Sequence, residues 1–267
     1  MARVIVIPAR LASERLPGKL LRDDTGWPLI RHVHDRVRAV RGVDRVVVAA
    51  DGDAIRAAVL AFGGEAVLTD PALPSGTDRV AEAVRALELD PKRDLVVNVQ
   101  GDEPEIDPNH VAALFDRLAA SREEGDRVQV ATLATRRQDP EGWLDPNRVK
   151  VLLDRSGRAL IFSRAPLPRP RDGSAPESWL LHLGIYGFLP GALARFRGSE
   201  PGELERLERL EQLRFLEEGI GIAVEVVTVP DEGGGGIDTE EDYRRFVARV
   251  RARGGPDGRG GRGGPRQ

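Results

Sequence analysis

Arg10, Arg15 and Lys19 fall within ten positions of one another, in Ala9-Arg10-Leu11-Ala12-Ser13-Glu14-Arg15-Leu16-Pro17-Gly18-Lys19, directly after the apolar run Val4-Ile5-Val6-Ile7-Pro8. A buried strand that feeds a loop holding Gly, Pro and three cations has a definite chemical use. Its backbone N–H groups and positive side chains can wrap a polyphosphate at the carboxyl end of a sheet. The same residue types also describe a solvated basic loop after an edge strand, and spacing alone leaves both readings open. Two familiar phosphate loops are excluded. The dinucleotide pattern G-x-G-x-x-G is absent, and the P-loop positions flanking Gly18-Lys19 hold Ser13 and Leu20 in place of Gly and Ser or Thr.

Two carboxylates have the hard oxygen chemistry that Mg²⁺ prefers. Asp102 follows the turn in Asn98-Val99-Gln100-Gly101-Asp102-Glu103-Pro104, and Asp238 lies in Gly236-Ile237-Asp238-Thr239-Glu240. Each also reads as a turn or helix-capping residue. Only a fold that brings the two together would make a metal site. Pro74-Ser75-Gly76-Thr77-Asp78 opens a helix with small and hydroxyl residues, suited either to contact with a base or sugar or to ordinary capping. His182 and Tyr186 stand four apart on a strand and so share a face, where they line a polar pocket or form a buried pair.

These residues need a scaffold, and the hydrophobic pattern supplies one. Strands are expected at residues 4–7, 45–50, 65–69, 95–99 and 128–133. Amphipathic helices are expected at 29–40, 53–62, 77–87 and 107–119. The alternation implies an α/β fold with a mostly parallel sheet, helices on both faces, and the loops after Ile7, Ala50 and Val99 at one ligand-binding edge. The second half is less regular. A hairpin at 149–153 and 159–163 is expected, then a proline-rich arm at 165–178. Beyond it come a strand at 181–189, a charged helix at 203–217 with Leu at 204, 207, 210, 213 and 216, a strand at 222–229 and a closing helix at 239–251.

Composition narrows the function class. The chain has 267 residues, 40% apolar, enough for a large core. Only 4% are aromatic and the net charge is −3, which argues against nucleic-acid binding. There is no cysteine, so thiolate nucleophiles and Cys-ligated metals are excluded. Neither a signal peptide nor a membrane span is legible, and a cytoplasmic location is expected. Residues 253–267 are Gly- and Arg-rich and are expected to form a disordered tail.

Taken together, the segments IPARLASERLPGK, PSGTDRVAEAV, VNVQGDEPEI, IFSRAPLPRPRD, HLGIYGFLPGALARF, LERLEQLRFLEEG and GIDTEEDYRRF resemble the 3-deoxy-manno-octulosonate (Kdo) cytidylyltransferase family. The resemblance implies a Rossmann-like nucleotidyltransferase fold as one domain over 1–252, with a nucleotide-binding half (1–134) and a sugar-binding and dimerisation half (135–252). It implies transfer of CMP from CTP to a Kdo-like sugar acid for lipopolysaccharide synthesis, with Mg²⁺ as cofactor and a homodimer. Arg10, Arg15 and Lys19 would then hold the CTP phosphates, and Asp102 and Asp238 the metal. Ser75, Gly76, Thr77 and Gln100 would read cytosine and ribose. Arg164, His182, Tyr186, Glu211 and Gln212 would hold the sugar acid, with Arg79 close by. Three features depart from the family pattern: Leu20 stands where Pro is expected, Leu181 stands where Arg usually precedes His182, and the arm before Trp179 is short. A related acid, such as 8-amino-Kdo or a nonulosonate, and a non-catalytic nucleotide-binding regulator are the alternative readings.

Overall fold

The first strand, β1 (Arg3–Ala9), shows why the sheet is buried on both sides. Ile5 and Ile7 join one apolar core while Val4 and Val6 join another, because successive side chains of a strand point to opposite faces. In this computed structural model residues 1–13, 15–123, 128–229 and 236–255 are described. The Gly/Arg-rich tail expected at 253–267 lies outside them from residue 256 onward.

Parallel neighbours follow: β2 (Arg45–Ala50), β3 (Glu65–Leu68) and β4 (Leu95–Asn98). The rest of the sheet is built from β5 (Val128–Arg137), β8 (Trp179–Phe188) and β9 (Gly221–Val227), giving the order β3-β2-β1-β4-β8-β5-β9. β8 is antiparallel to both β4 and β5, and β5 runs parallel to β9. The hairpin of β6 (Lys150–Leu153) and β7 (Ala159–Ser163) attaches through Lys150 opposite Leu181. The sheet is therefore mostly parallel, as the β-α-β rhythm implies, with one reversed strand near its middle.

Helices α1 (Leu29–Arg38), α2 (Asp53–Ala61), α4 (Pro108–Glu123) and α9 (Glu240–Ala252) supply apolar residues to the core containing Ile5. Helices α3 (Gly76–Ala86), α6 (Pro190–Gly198) and α8 (Gln212–Glu217) supply the core containing Val4. Each core draws residues from before and after position 134. No helix among the described residues is long and apolar enough to cross a membrane.

Three elements differ from the pattern reading. Short helices α5 (Pro140–Leu144) and α6 lie in stretches where no element is expected, and each begins at a proline, which suits a first helical turn. The expected helix over 203–217 is two helices, α7 (Glu203–Glu208) and α8, separated at Arg209. Steps of three residues fall about 60° short of a full turn, so five leucines at that spacing wind through about 240° and cannot share one face. The break resolves this. Leu210 and Leu213 are buried, while Leu207 stays 73% exposed.

Candidate active site

The loop after β1 is shaped before any ligand arrives. The Asp51 carboxylate at the end of β2 accepts from the Leu11 N–H at 2.8 Å, and the Asp51 N–H donates to the Ala9 carbonyl at 3.1 Å. Gly18 takes a left-handed φ of 65°, a conformation glycine adopts at little cost, and this turn precedes the short 3₁₀ turn Lys19–Leu21. Lys19 is consequently only 9% exposed. Its Nζ donates to Asp102 Oδ2 at 2.5 Å, to the Ile237 carbonyl at 2.7 Å and to Asp238 Oδ1 at 3.3 Å. Arg15 reaches the same Asp238 oxygen at 3.0 Å.

Both carboxylates are free of the capping roles their positions allowed. Thr239 is the N-cap of α9 and forms a reciprocal capping box with Asp242, leaving the Asp238 side chain for Lys19 and Arg15. At the start of α4, it is the Asp107 carboxylate that accepts from the Asn109 N–H, at 2.9 Å. Gly101 matters for a packing reason. A Cβ there would sit 3.1 Å from the Pro8 carbonyl, so a side chain would push the loop after β4 away from the end of β1.

Pro8, Arg10, Ser13, Arg15, Lys19, Gln100, Asp102 and Asp238 line one cleft of about 270 Å³ at this edge. A second cleft of about 310 Å³ meets it at Gln100 and is lined by Gly76, Thr77, Asn98, Tyr186, Arg209, Glu211 and Gln212, among others. The register explains the second cleft: Asn98 of β4 lies directly opposite Tyr186 of β8, so their side chains share a face. Two buried amide atoms here, Asn98 Oδ1 and Gln212 Nε2, have no hydrogen-bond partner among the described residues. Burial pushes the Glu211 carboxyl above the usual carboxylate range, against the effect of its hydrogen bond with Thr77. Burial, with Glu211 nearby, also pushes the Tyr186 phenol well up.

The remaining expected residues sit differently. Ser75 caps α3, its hydroxyl accepting from the Asp78 N–H at 3.1 Å. Gly76 packs beside Gln100. His182 shares a face with Tyr186, as the strand period requires, with ring centroids 5.4 Å apart. A register shift in β5–β8 places two extra β8 residues between Leu183 and Tyr186, which preserves that shared face. His182 Nε2 lies 3.0 Å from the Thr132 hydroxyl, and burial holds its imidazole down to about 3. It lines a neighbouring groove with Glu103 and Ile185 rather than the Tyr186 cleft. Arg79 is buried, its guanidinium donating to Thr69 Oγ1 at 2.5 Å and to the Asp70 carbonyl at 3.2 Å. Arg164 donates to the carbonyls of Glu208 at 2.7 Å and Pro146 at 3.0 Å. Neither arginine lines either cleft.

Residues that motif reading passed over also build the site. Asp51 anchors the phosphate-type loop, Ser13 lines the first cleft, and Asn98 and Arg209 line the second. Asp51 and Asn98 carried a weak signal, since both stand at carboxyl ends of parallel strands. Arg209 carried none, being one charge among many in a charged helix.

A basic loop, two converging carboxylates and an adjoining polar cleft at the carboxyl edge of a mostly parallel sheet define a nucleotidyltransferase. The comparisons agree. A cytidylyltransferase family model matches residues 4–224. A 3-deoxy-manno-octulosonate cytidylyltransferase of Syntrophobacter fumaroxidans (strain DSM 10017 / MPOB) is 48% identical over 92% of this chain and 96% of its own. One of Anaeromyxobacter sp. (strain Fw109-5) is 48% identical over 94% and 98%. A solved CMP:2-keto-3-deoxy-manno-octonic acid synthetase, determined in complex with CTP, superposes with a TM-score of 0.84 at 37% identity, covering 94% of this chain and 99% of that one. The chain belongs to the 3-deoxy-manno-octulosonate cytidylyltransferase family.

Proposed function

We propose that the enzyme joins CMP to Kdo, with the two clefts dividing the work. CTP occupies the cleft of Arg10, Arg15 and Lys19, and the sugar acid occupies the cleft of Tyr186, Glu211 and Gln212. The observation that carries this division is their meeting at Gln100, which lines both. The anomeric hydroxyl of the sugar attacks the α-phosphorus. A new oxygen–phosphorus bond forms as the bond to the β-phosphate bridging oxygen breaks, and pyrophosphate leaves. Such transfers depend on positioning and charge neutralisation more than on covalent help from the protein. Arg10 and Arg15 hold the leaving pyrophosphate, while Ser75, Gly76, Thr77 and Gln100 fit the nucleoside.

Asp102 and Asp238 fit a divalent cation such as Mg²⁺, because both present hard oxygens to one cationic atom, the Lys19 ammonium. When bound, that ion would neutralise phosphate charge and acidify the attacking hydroxyl. Lys19 would then turn its N–H groups from the carboxylates to the phosphates. We further propose a homodimer built from the second half, a cytoplasmic location where CTP is made, and a role in supplying activated Kdo for lipopolysaccharide.

Pyrophosphate release with CTP, Mg²⁺ and Kdo tests the reading. Turnover with Kdo above that with 8-amino-Kdo or nonulosonates, and with CTP above ATP or GTP, is expected. Release with none of the acids, despite CTP binding, would overturn it. Light scattering tests the dimer.

A further inference from the structure

Two ion pairs join the loop after β1 to the start of α9. Lys19 meets Asp238 at 3.3 Å inside the first cleft, and Arg22 meets Glu240 outside it. Arg22, Asp24, Glu240 and Tyr243 line a separate hollow of about 330 Å³, which contains none of the residues given to the nucleotide, the sugar acid or the metal.

The Arg22 guanidinium is gripped on three sides. Both of its terminal nitrogens donate to the Glu240 carboxylate, one of them at 3.3 Å. One also donates to Asp24 at 3.3 Å, and the guanidinium carbon stands 3.9 Å from the centroid of the Tyr243 ring. Tyr243 is buried and so forms a fixed platform. An isolated exposed ion pair contributes little. A guanidinium fork on a carboxylate, with an aromatic ring beneath it, is stronger and fixes direction as well as distance. The Arg22 N–H donates to the Lys19 carbonyl at 3.3 Å and closes the 3₁₀ turn, so the Lys19 backbone moves with Arg22. Glu240 opens α9, just beyond Asp238.

Apolar packing of Ile237, Tyr243 and Phe246 keeps α9 on the core, but such packing is non-directional and leaves the register of the helix start to polar contacts. On the cleft side Lys19 and Arg15 supply those contacts, to the Ile237 carbonyl and the Asp238 carboxylate. The proposed function commits both cations to phosphates. Asp24 remains tied to Tyr243 and Arg251, farther along the helix. Among the described residues of the loop, Arg22 alone then still reaches the first turn of α9, beside Asp238.

We propose that Arg22 is a positioning residue for the transfer: its fork on Glu240, seated on the Tyr243 ring, keeps the loop after β1 in register with Asp238 once the nucleotide draws Lys19 and Arg15 away. In the free protein this clamp duplicates the Lys19 tie, and in the loaded protein it replaces it. The inference rests on the assignment of the first cleft to CTP and the divalent cation.

Hydrogen exchange of the segment 236–243, together with steady-state kinetics, tests the clamp in Arg22→Met, Glu240→Gln and Arg22→Lys. Without nucleotide, exchange in Arg22→Met and Glu240→Gln should stay within about twofold of the wild type, and with saturating CTP and Mg²⁺ it should be about fivefold faster, the worth of one such contact. The Mg²⁺ concentration for half-maximal rate should rise by a similar factor, while KM for Kdo stays within about twofold. Arg22→Lys keeps the charge without the fork and should recover part of the loss. Exchange that quickens equally with and without nucleotide would mark a brace for the fold alone and overturn the proposal. Unchanged exchange and Mg²⁺ dependence in both Arg22→Met and Glu240→Gln would do the same. Lys19→Met supplies an arm that needs no ligand, because it removes the main tie on the cleft side. In that background Arg22→Met should quicken exchange of 236–243 in the free protein by about fivefold, beyond its effect on the wild type. Purely additive effects would overturn the clamp. If the wild type releases no pyrophosphate with Kdo, the functional reading fails separately, and this arm still decides for Arg22.

Discussion

Lys19 and Asp102, 83 positions apart, meet at 2.5 Å between Nζ and Oδ2, and the same ammonium reaches Asp238. One lysine thus holds together the two carboxylates proposed to bind a divalent cation. The side chains of Lys19, Asp102 and Asp238 are 11%, 25% and 43% exposed, so water screens the pairs only in part. On the proposed metal site, lysine and metal would compete for the same oxygens until a triphosphate offered the ammonium other acceptors.

That competition predicts opposite effects of Lys19→Met on two measurements. Mg²⁺ alone should bind the variant more tightly than the wild type by calorimetry, because the internal cation is gone. Turnover at sub-saturating CTP should fall by about tenfold to a hundredfold, the worth of a charge-assisted hydrogen bond of roughly 1.5–3 kcal/mol. Unchanged Mg²⁺ affinity would show that the carboxylates do not form a metal site.

Asp238→Asn keeps shape and any capping ability but removes charge. Because Thr239 already caps α9, folding should be normal by circular dichroism. Activity should fall about 10²-fold or more, by comparison with losing one preorganised electrostatic contact. Adding Asp102→Asn should cost little further, since groups acting as a unit are not additive. Normal activity with normal Mg²⁺ dependence would remove Asp238 from the site.

Among the described residues, Asn98 Oδ1 and Gln212 Nε2 are buried without a hydrogen-bond partner, so in the proposed sugar-acid cleft both would be open to a substrate hydroxyl. A hydroxyl both donates and accepts, so it satisfies an amide oxygen and an amide nitrogen at once. Gln212→Leu should leave thermal stability unchanged or slightly raised, because a buried unsatisfied donor is removed. KM for the sugar acid should rise about fivefold to tenfold, matching a net hydrogen bond of about 1 kcal/mol. A variant that loses stability but not affinity would mark Gln212 as a packing residue.

His182 makes stability depend on pH in a definite direction. Its imidazole is held at about 3 by burial, against about 6.5 in an unfolded chain. Below about pH 6.5 the unfolded chain takes up a proton that the folded ring refuses. The contribution is therefore complete above pH 6.5 and is lost as pH falls toward 3, by up to about 1.4 kcal/mol per pH unit. Thermal melts from pH 7 to 4.5 should show a shallower decline in His182→Gln than in the wild type. Parallel declines would mean that the ring is protonated in the folded protein.

Local pattern was enough for the scaffold and for the ingredients of the site. The run Val4–Ile7, the apolar run through β2 and the loop cations are properties of short segments, legible because side-chain periodicity and strand-to-loop transitions are encoded within about ten residues. The family-level match likewise lay in contiguous stretches such as GDEP, SGTDR and HLGIYG. What the tertiary structure alone decided is which of several uses each side chain serves. Asp238 read equally well as a cap until Thr239 was seen to cap α9 and Lys19 to arrive from 219 positions away. Arg164 and Arg79 carried the right charge, but their guanidinium groups turned to backbone carbonyls and a threonine, while Arg209, hidden in a charged helix pattern, came to line the cleft. The physical reason is that hydrogen-bonding capacity is finite and is spent between segments distant in sequence. Composition lists the donors and acceptors, and only the folded chain pairs them.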